Sequence, residues 1–283
     1  MFRIWLVVLF VSVAASAFGA ERWQTVPPDP PAVAMARHDH VEVHGASLYY
    51  AITGNGSPVL LLHGSLGSSD DWGYQVRALA AHHTVIVMDS RGQGRSTRDA
   101  RPFSYDLMAD DVVALLDKLA IARIDVVGWS DGANIGLDLA IRHPGRIAKL
   151  FAFGANTSVA GMSGDPEKQP IFPLVMTRMS ANYASLSPTP KAFDAVATQM
   201  SVMWATEPNW SDAQLGTIKS PVWIVDGDHE EFIKREHTEH IAATIPGAGL
   251  LILPKVSHFA PLQAPALFNA AVLQFLNGGP LAD

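Results

Sequence analysis

From His40 onward the chain alternates short runs rich in β-branched residues with longer stretches whose apolar positions recur every three or four residues. Residues 41–43 and 48–52, separated by His44-Gly45, predict a β-hairpin. The apolar runs 59–62, 85–88, 125–128 and 147–153 predict buried strands, and residues 70–80, 105–119 and 133–142 carry helical spacing. His143-Pro144-Gly145 ends the last of these helices. Strand and helix in alternation imply an α/β fold, a mostly parallel sheet with helices on both faces. The rhythm breaks over residues 156–220, which hold Met, Pro and Trp in helical spacing and no clear strand. A stretch of that length is too long for an ordinary connection and reads as a small helical cap inserted before the late strands. The alternation resumes with a strand at 222–226, a helix near 234–244, a strand at 250–253 and a helix at 265–277. The core is therefore expected in two parts, 40–155 and 221–283, on either side of the cap.

The amino terminus has a different pattern. Met1-Phe2-Arg3 precedes an apolar run at 4–15 and a small-residue stretch, so residues 1–20 read as a signal peptide rather than a span. Ala15 and Ala17 fit an A-x-A cleavage site, and an uncleaved anchor is the alternative. The expected location is secreted or periplasmic, with no stable membrane span after processing. Residues 21–39, which include Pro27-Pro28-Asp29-Pro30-Pro31, are expected to form an extended linker.

Composition removes several classes of function. The 283 residues carry 20 Lys+Arg against 27 Asp+Glu, a formal charge of −7, with no basic stripe to meet a nucleic acid. Cysteine is absent, which excludes disulfides, thiolate metal sites and a Cys nucleophile. Any nucleophile must be oxygen or nitrogen.

Gly128-Trp129-Ser130-Asp131-Gly132 falls where a predicted strand meets a predicted helix, the setting of a nucleophile elbow. Small residues two before and two after the serine let the backbone turn sharply and leave Oγ exposed. A serine hydroxyl is scarcely ionised at neutral pH and needs a base, and the base needs an orienting partner. Of 11 histidines, His258 alone follows a late strand and precedes the last helix. Asp226, Asp228 and Glu230 follow the preceding strand and are the candidate acids.

With the elbow and the late histidine, two further motifs complete a resemblance to the α/β-hydrolase superfamily over about residues 40–277. His63-Gly64-Ser65-Leu66-Gly67 resembles its His-Gly oxyanion loop, and residues 89–96 resemble its Asp-x-Arg-Gly-x-Gly-x-Ser turn. The esterase, lactonase and peroxidase-like type is the nearest, and Gly-Trp-Ser-Asp-Gly with Gly154-Ala155-Asn156 is most similar to valacyclovirase-like amino-acid-ester hydrolases. The family places its acid, usually Asp, three residues after the strand-end glycine. Here that position is Glu230, with Asp228 as the alternative. The resemblance implies a serine hydrolase acting on a carboxylic ester or related acyl substrate, with Ser130, His258 and Glu230 catalytic. Backbone N–H groups of Asp131 and Ser65, or Leu66 in place of Ser65, are expected to hold the oxyanion. His63 is expected to be structural.

Asp131 suits a helix N-terminus through the macrodipole alone, and it is also a candidate partner for a substrate amine. Trp129 is expected beneath the nucleophile or beside the acyl site. Met162, Met176, Met179, Met200, Met203, Trp204 and Trp210 of the cap either line an acyl pocket or pack within the cap. Gly92-Gln93-Gly94 lacks the third glycine of a nucleotide loop, so no NAD or ATP is expected and no cofactor is implied. His237 and His240 lack a third ligand and suggest no metal; they read as solvated or capping residues. Lactonase, carbon–carbon bond hydrolase and perhydrolase activities share the same groups, and a non-catalytic binding protein on this fold is the alternative of a different class.

Overall fold

A computed structural model describes residues 21–164 and 166–278. The stretch read as a signal peptide lies outside them. The chain runs β1 (Arg37–Val43), β2 (Ala46–Thr53), β3 (Ser57–Leu62), α1 (Gly73–Leu79), β4 (His83–Met88), α2 (Tyr105–Lys118), β5 (Ile124–Trp129), α3 (Asp131–Arg142) and β6 (Ile147–Phe153). An insert follows, with α4 (Phe172–Leu186), α5 (Phe193–Trp204) and α6 (Asp212–Leu215). The fold closes with β7 (Val222–Gly227), α7 (Arg235–Thr244), β8 (Gly249–Leu253), α8 (Ala260–Gln263) and α9 (Pro265–Asn277).

The strands form one eight-stranded sheet in the order β1-β2-β4-β3-β5-β6-β7-β8. β1 and β2 are antiparallel to their neighbours and the remaining pairs are parallel. Successive side chains on a strand point to opposite faces, and both faces are buried. Leu60, Leu62 and Val126 thus join one core with Val112, Leu115, Ile135 and Leu139 of α2 and α3. Val59, Leu61 and Val127 join the other with Val76, Leu79, Phe268 and Val272 of α1 and α9. The β1–β2 hairpin closes on His44 and Gly45, both at positive φ (+46° and +75°), as a tight two-residue connection requires.

Most boundaries move by one or two residues from those the sequence predicts, and two elements differ more. β1 takes in Arg37, His38 and Asp39, which the reading left in the linker; their cross-strand partners Ile52, Ala51 and Tyr50 hold them in the sheet despite their exposure. The predicted helix at 70–80 is a 3₁₀ turn, Ser69–Trp72, followed by α1. Ser68 caps that turn, its hydroxyl accepting from the Asp70 N–H while its own N–H donates to the Asp71 carboxylate.

Within the insert, Tyr183 and Phe193 meet edge-on at 5.7 Å, and Val196, Met200 and Met203 are buried with them in the α2–α3 core cluster. The insert sits over the carboxyl ends of the parallel strands, where a ligand crevice is expected in an open α/β sheet. Among the described residues, no helix is long and apolar enough to cross a membrane.

Candidate active site

The strand-to-helix turn at β5–α3 is held in an unusual backbone conformation. Ser130 has φ +55° and ψ −121°, a strained region for a residue with a side chain. Its N–H donates to the Phe153 carbonyl at 2.8 Å, and its carbonyl accepts from the N–H groups of Ala133 and Asn134 at 2.8 and 3.0 Å. A Cβ on Gly132 would collide with the Leu62 carbonyl oxygen, and one on Gly128 with the Gly132 carbonyl. Those two positions must be glycine for the elbow to close, and the turn presents Ser130 to a cavity of about 200 Å³.

Ser65, Trp129, Ser130, Asp131 and His258 all line that cavity. Glu230 lies behind His258: its two oxygens accept from His258 Nδ1 at 2.8 and 2.9 Å. Oε1 also accepts from the N–H groups of Phe232 and Ile233 at 2.8 and 3.2 Å. With Nδ1–H donated to Glu230, His258 keeps its Nε2 lone pair. Asp228 is committed elsewhere, to the Val256 N–H at 3.2 Å and near His229 at 3.9 Å.

The imidazole is fixed from every side. Phe232 meets it edge-on at 4.9 Å, and the His258 N–H donates to Glu231 Oε2 at 3.0 Å. A Cβ on Gly154 would stand 2.7 Å from Cε1, so the residue after β6 leaves the ring its seat. Burial lowers the His258 pKa below its usual value, against the opposing pull of Glu231, Asp226 and Asp131. Burial raises Glu230, to about 7, while a hydrogen bond from Asp226 and the two backbone N–H groups act in the other direction. His258 Nδ1 and the Phe232 and Ile233 N–H groups converge on the two Glu230 oxygens and favour the charged form against that burial. Asp226 is itself buried and pushed well up by desolvation and by the negative Glu230 beside it, with Thr238 donating to it at 2.7 Å.

Asp131 anchors a second polar group on the cavity wall. Tyr105 Oη donates to one oxygen at 2.7 Å and Trp204 Nε1 to the other at 3.1 Å. Asn134 donates to Tyr105 Oη at 3.0 Å and to Asn156 Oδ1 at 2.7 Å, and accepts from the Asn156 N–H at 3.0 Å. Burial raises the Asp131 pKa, opposed by hydrogen bonds from Ser65, Tyr105 and Trp204. Sequence reasoning missed Tyr105, Asn134 and Trp204 as a unit. The available signal was Asn134, a polar residue amid the buried apolar positions of α3.

The early loop is pinned by His63, whose Nδ1 donates to the Gly64 carbonyl at 2.7 Å while Nε2 accepts from the Ser90 N–H at 3.0 Å. The Leu66 N–H is taken by Gln93 Oε1 at 2.5 Å. Trp129 is nearly buried, edge-on to Trp72 and Phe259 at 6.1 and 5.7 Å, with one side on the cavity. Of the cap residues, Met162, Met176, Met179 and Trp204 line the cavity. Met200 and Met203 pack in the cap interior, and Trp210 lies on Tyr105 at 5.9 Å. His237, read as solvated or capping, is instead a tie: its Nε2 accepts from the Thr157 N–H at 3.0 Å, fixing the start of the insert to α7. His240 pairs with Asp212 at 2.9 Å.

Comparison with known proteins agrees with this architecture. Residues 57–195 match the family model described as the alpha/beta hydrolase fold. A chain of Caulobacter sp. (strain K31) named "Putative carbamate hydrolase RutD" is 31% identical over 265 residues, spanning 84% of this chain and 95% of its own. The Homo sapiens "Serine hydrolase BPHL" is 27% identical over 263 residues, spanning 83% and 85%. Among solved structures, Est816, described as an N-acyl homoserine lactone degrading enzyme, has a TM-score of 0.70 at 29% identity, covering 83% of this chain and 99% of its own. The chain belongs to the α/β-hydrolase superfamily. It is an enzyme of that fold, a hydrolase.

Proposed function

We propose that Ser130 is the nucleophile of a serine hydrolase acting on a carboxylic ester or a related acyl substrate. Oγ attacks the acyl carbon as His258 Nε2 takes its proton, and the proton passes to the leaving alcohol when the carbon–oxygen bond breaks. Water, activated by the same imidazole, then cleaves the acyl-enzyme and regenerates the serine. Glu230 holds His258 in the productive tautomer and stabilises the imidazolium as it forms. The oxyanion is held by the N–H groups of Asp131 and Ser65, each contributing about 3 kcal/mol in comparable sites. Gln93 engages Leu66, which favours Ser65 as the second donor. These groups and water complete the chemistry, so the proposed reaction needs no cofactor.

The observation that carries the reading is the Glu230 carboxylate on His258 Nδ1 at 2.8 Å, with the imidazole sharing its cavity with a strained serine. A fluorophosphonate probe is expected to label the wild-type protein and not Ser130→Ala. The small cavity, bounded by Met162, Met176 and Met179, suits a short apolar group.

A lactone is the second reading, favoured by the 29% identity to Est816. The attack is the same, but the leaving alcohol stays tethered. Matched rates on linear esters and lactones of equal acyl length separate the two. A carboxylate offers about four lone-pair sites, so Asp131 retains capacity for a substrate amine beside Tyr105 and Trp204. An amino-acid ester is then expected to turn over faster than its N-acetyl form, and equal rates remove that role. The amino-terminal pattern supports export to a secreted or periplasmic location. The mass of the mature chain, shortened by 17 or 20 residues or full length, checks it.

A further inference from the structure

Residues 22–32 are tied to the hydrolase core and to the cap along their whole length. Trp23 stacks on His229 at 3.8 Å and 3°, on the loop that carries Glu230. The Thr25 carbonyl accepts from Gln263 Nε2 at 2.9 Å, and Gln263 Oε1 in turn accepts from the Ser257 N–H at 2.8 Å, one residue before His258. The Pro27 carbonyl accepts from Arg178 Nη1 of α4 at 3.0 Å. Arg178 also holds Asp29 at 2.7 Å and Asp71 at 3.2 Å, and Asn182 donates to Asp29 at 3.1 Å. The Ala32 carbonyl accepts from Arg77 at 3.2 Å.

Val26 lies between the Thr25 and Pro27 anchors, so it is held between Gln263 on the core and Arg178 on the cap. It is half-buried and lines the same cavity as Ser130 and His258, as do Leu262 and Met179, the chain neighbours of those two anchors. The prolines at 27, 28, 30 and 31 limit the freedom of the segment before it docks, which lowers the entropy cost of holding a wall there. The segment lies ahead of residues 57–195, the part that matches the family model.

We propose that this strap is a specificity element of the site: Val26 closes the apolar wall of the cavity beside Met179 and Leu262 and limits the length of the substrate's acyl chain. The proposal rests on the serine-hydrolase reading for its substrate class, and on the cavity geometry for the wall. Val26→Ala removes two methyl-sized groups and opens room for one to two methylenes of substrate. Val26→Trp fills it.

The test is a series of p-nitrophenyl esters from acetyl to dodecanoyl, read as kcat/KM on wild type, Val26→Ala and Val26→Trp. The same series of saturated carboxylates is bound to Ser130→Ala with and without each Val26 change, read by calorimetry. Val26→Ala is expected to raise the octanoyl-to-butanoyl ratio by roughly three- to tenfold, and Val26→Trp to lower it at least tenfold. The binding series should shift in the same direction. Unchanged length profiles in both series overturn the proposal. A shift in the binding series, with wild type hydrolysing no ester, upholds the wall and overturns the serine-esterase reading. If Val26→Trp fails to fold, Val26→Ala and the binding series decide alone.

Discussion

Ser130 holds φ +55° and ψ −121° at a cost of about 1–3 kcal/mol for a non-glycine residue. Three backbone hydrogen bonds and the two glycines of the elbow keep it there. The conformation lifts Oγ clear of its helix, and only a partner on another segment can use it. That partner's own orientation depends on Glu230. Glu230→Gln is therefore expected to lower kcat by about 10³- to 10⁴-fold. Asp228→Asn, whose carboxylate serves the Val256 N–H, should stay within about threefold of wild type. A steady-state comparison of the two variants decides the assignment, and the reverse ranking contradicts it. The pH profile follows from the same pair. A proton taken up by Glu230 removes the anion that stabilises the imidazolium, and one taken up by His258 removes the Nε2 lone pair, so either lowers activity on acidification. With burial raising Glu230 to about 7, the acid limb of kcat/KM should lie near neutrality. Glu230→Gln leaves His258 alone, already lowered by burial and now without its anion, so the residual activity should lose its acid limb at lower pH. A limb that stays in place shows that the pair does not control it. Ser130, His258 and Glu230 could be picked out in the sequence because each belongs to a short motif at a strand end. Tyr105 and Val26 could not, since their partners lie far along the chain and neither residue type nor local spacing announces such a contact.

The elements that read clearly were those with one dominant period. β6 and α9 have the limits their patterns gave, Ile147–Phe153 and Pro265–Asn277, because both are bounded by Pro, Gly or a change of period. The segment before α1 read less well: Ser68 and Asp71 spend their side chains on a capping box, which favours a 3₁₀ turn over the continuous helix that the apolar spacing suggested. The turn after β4 is held by a buried bidentate pair, with Arg91 Nε and Nη2 donating to the two oxygens of Asp111 on α2 at 2.6 Å each. Both side chains are 1% exposed, so removing one partner strands a charge in the core. Asp111→Ala is expected to lower unfolding stability by about 3–5 kcal/mol, measured by urea denaturation. A loss under about 1 kcal/mol would place the pair in a solvated setting and contradict the buried geometry.

At the scale of the molecule, the parallel sheet supplies a rigid floor, and the cavity lies where insert, early loop and late loops converge on its carboxyl edge. Trp204 reaches from the cap to Asp131 beside the nucleophile, and Arg178 reaches from the cap to the strap and Asp71. Cap position and site polarity are thus coupled through two side chains. Trp204→Phe frees one oxygen of the buried Asp131 and is expected to raise KM more than it lowers kcat, because it loosens the cavity wall without touching Ser130, His258 or Glu230. An equal fall in kcat and kcat/KM would instead place Trp204 in the transition state. The core architecture could be read from the alternation of periods, whereas the full wall of the cavity could not, being assembled from segments spread between Val26 and Leu262. The central claim is that Ser130 is the nucleophile, and intact-protein and peptide mass spectrometry after fluorophosphonate treatment tests it most directly. One adduct per chain is expected, on the peptide bearing Ser130 and abolished in Ser130→Ala. Folded wild-type protein that stays unmodified, or an adduct that persists in Ser130→Ala, would contradict it.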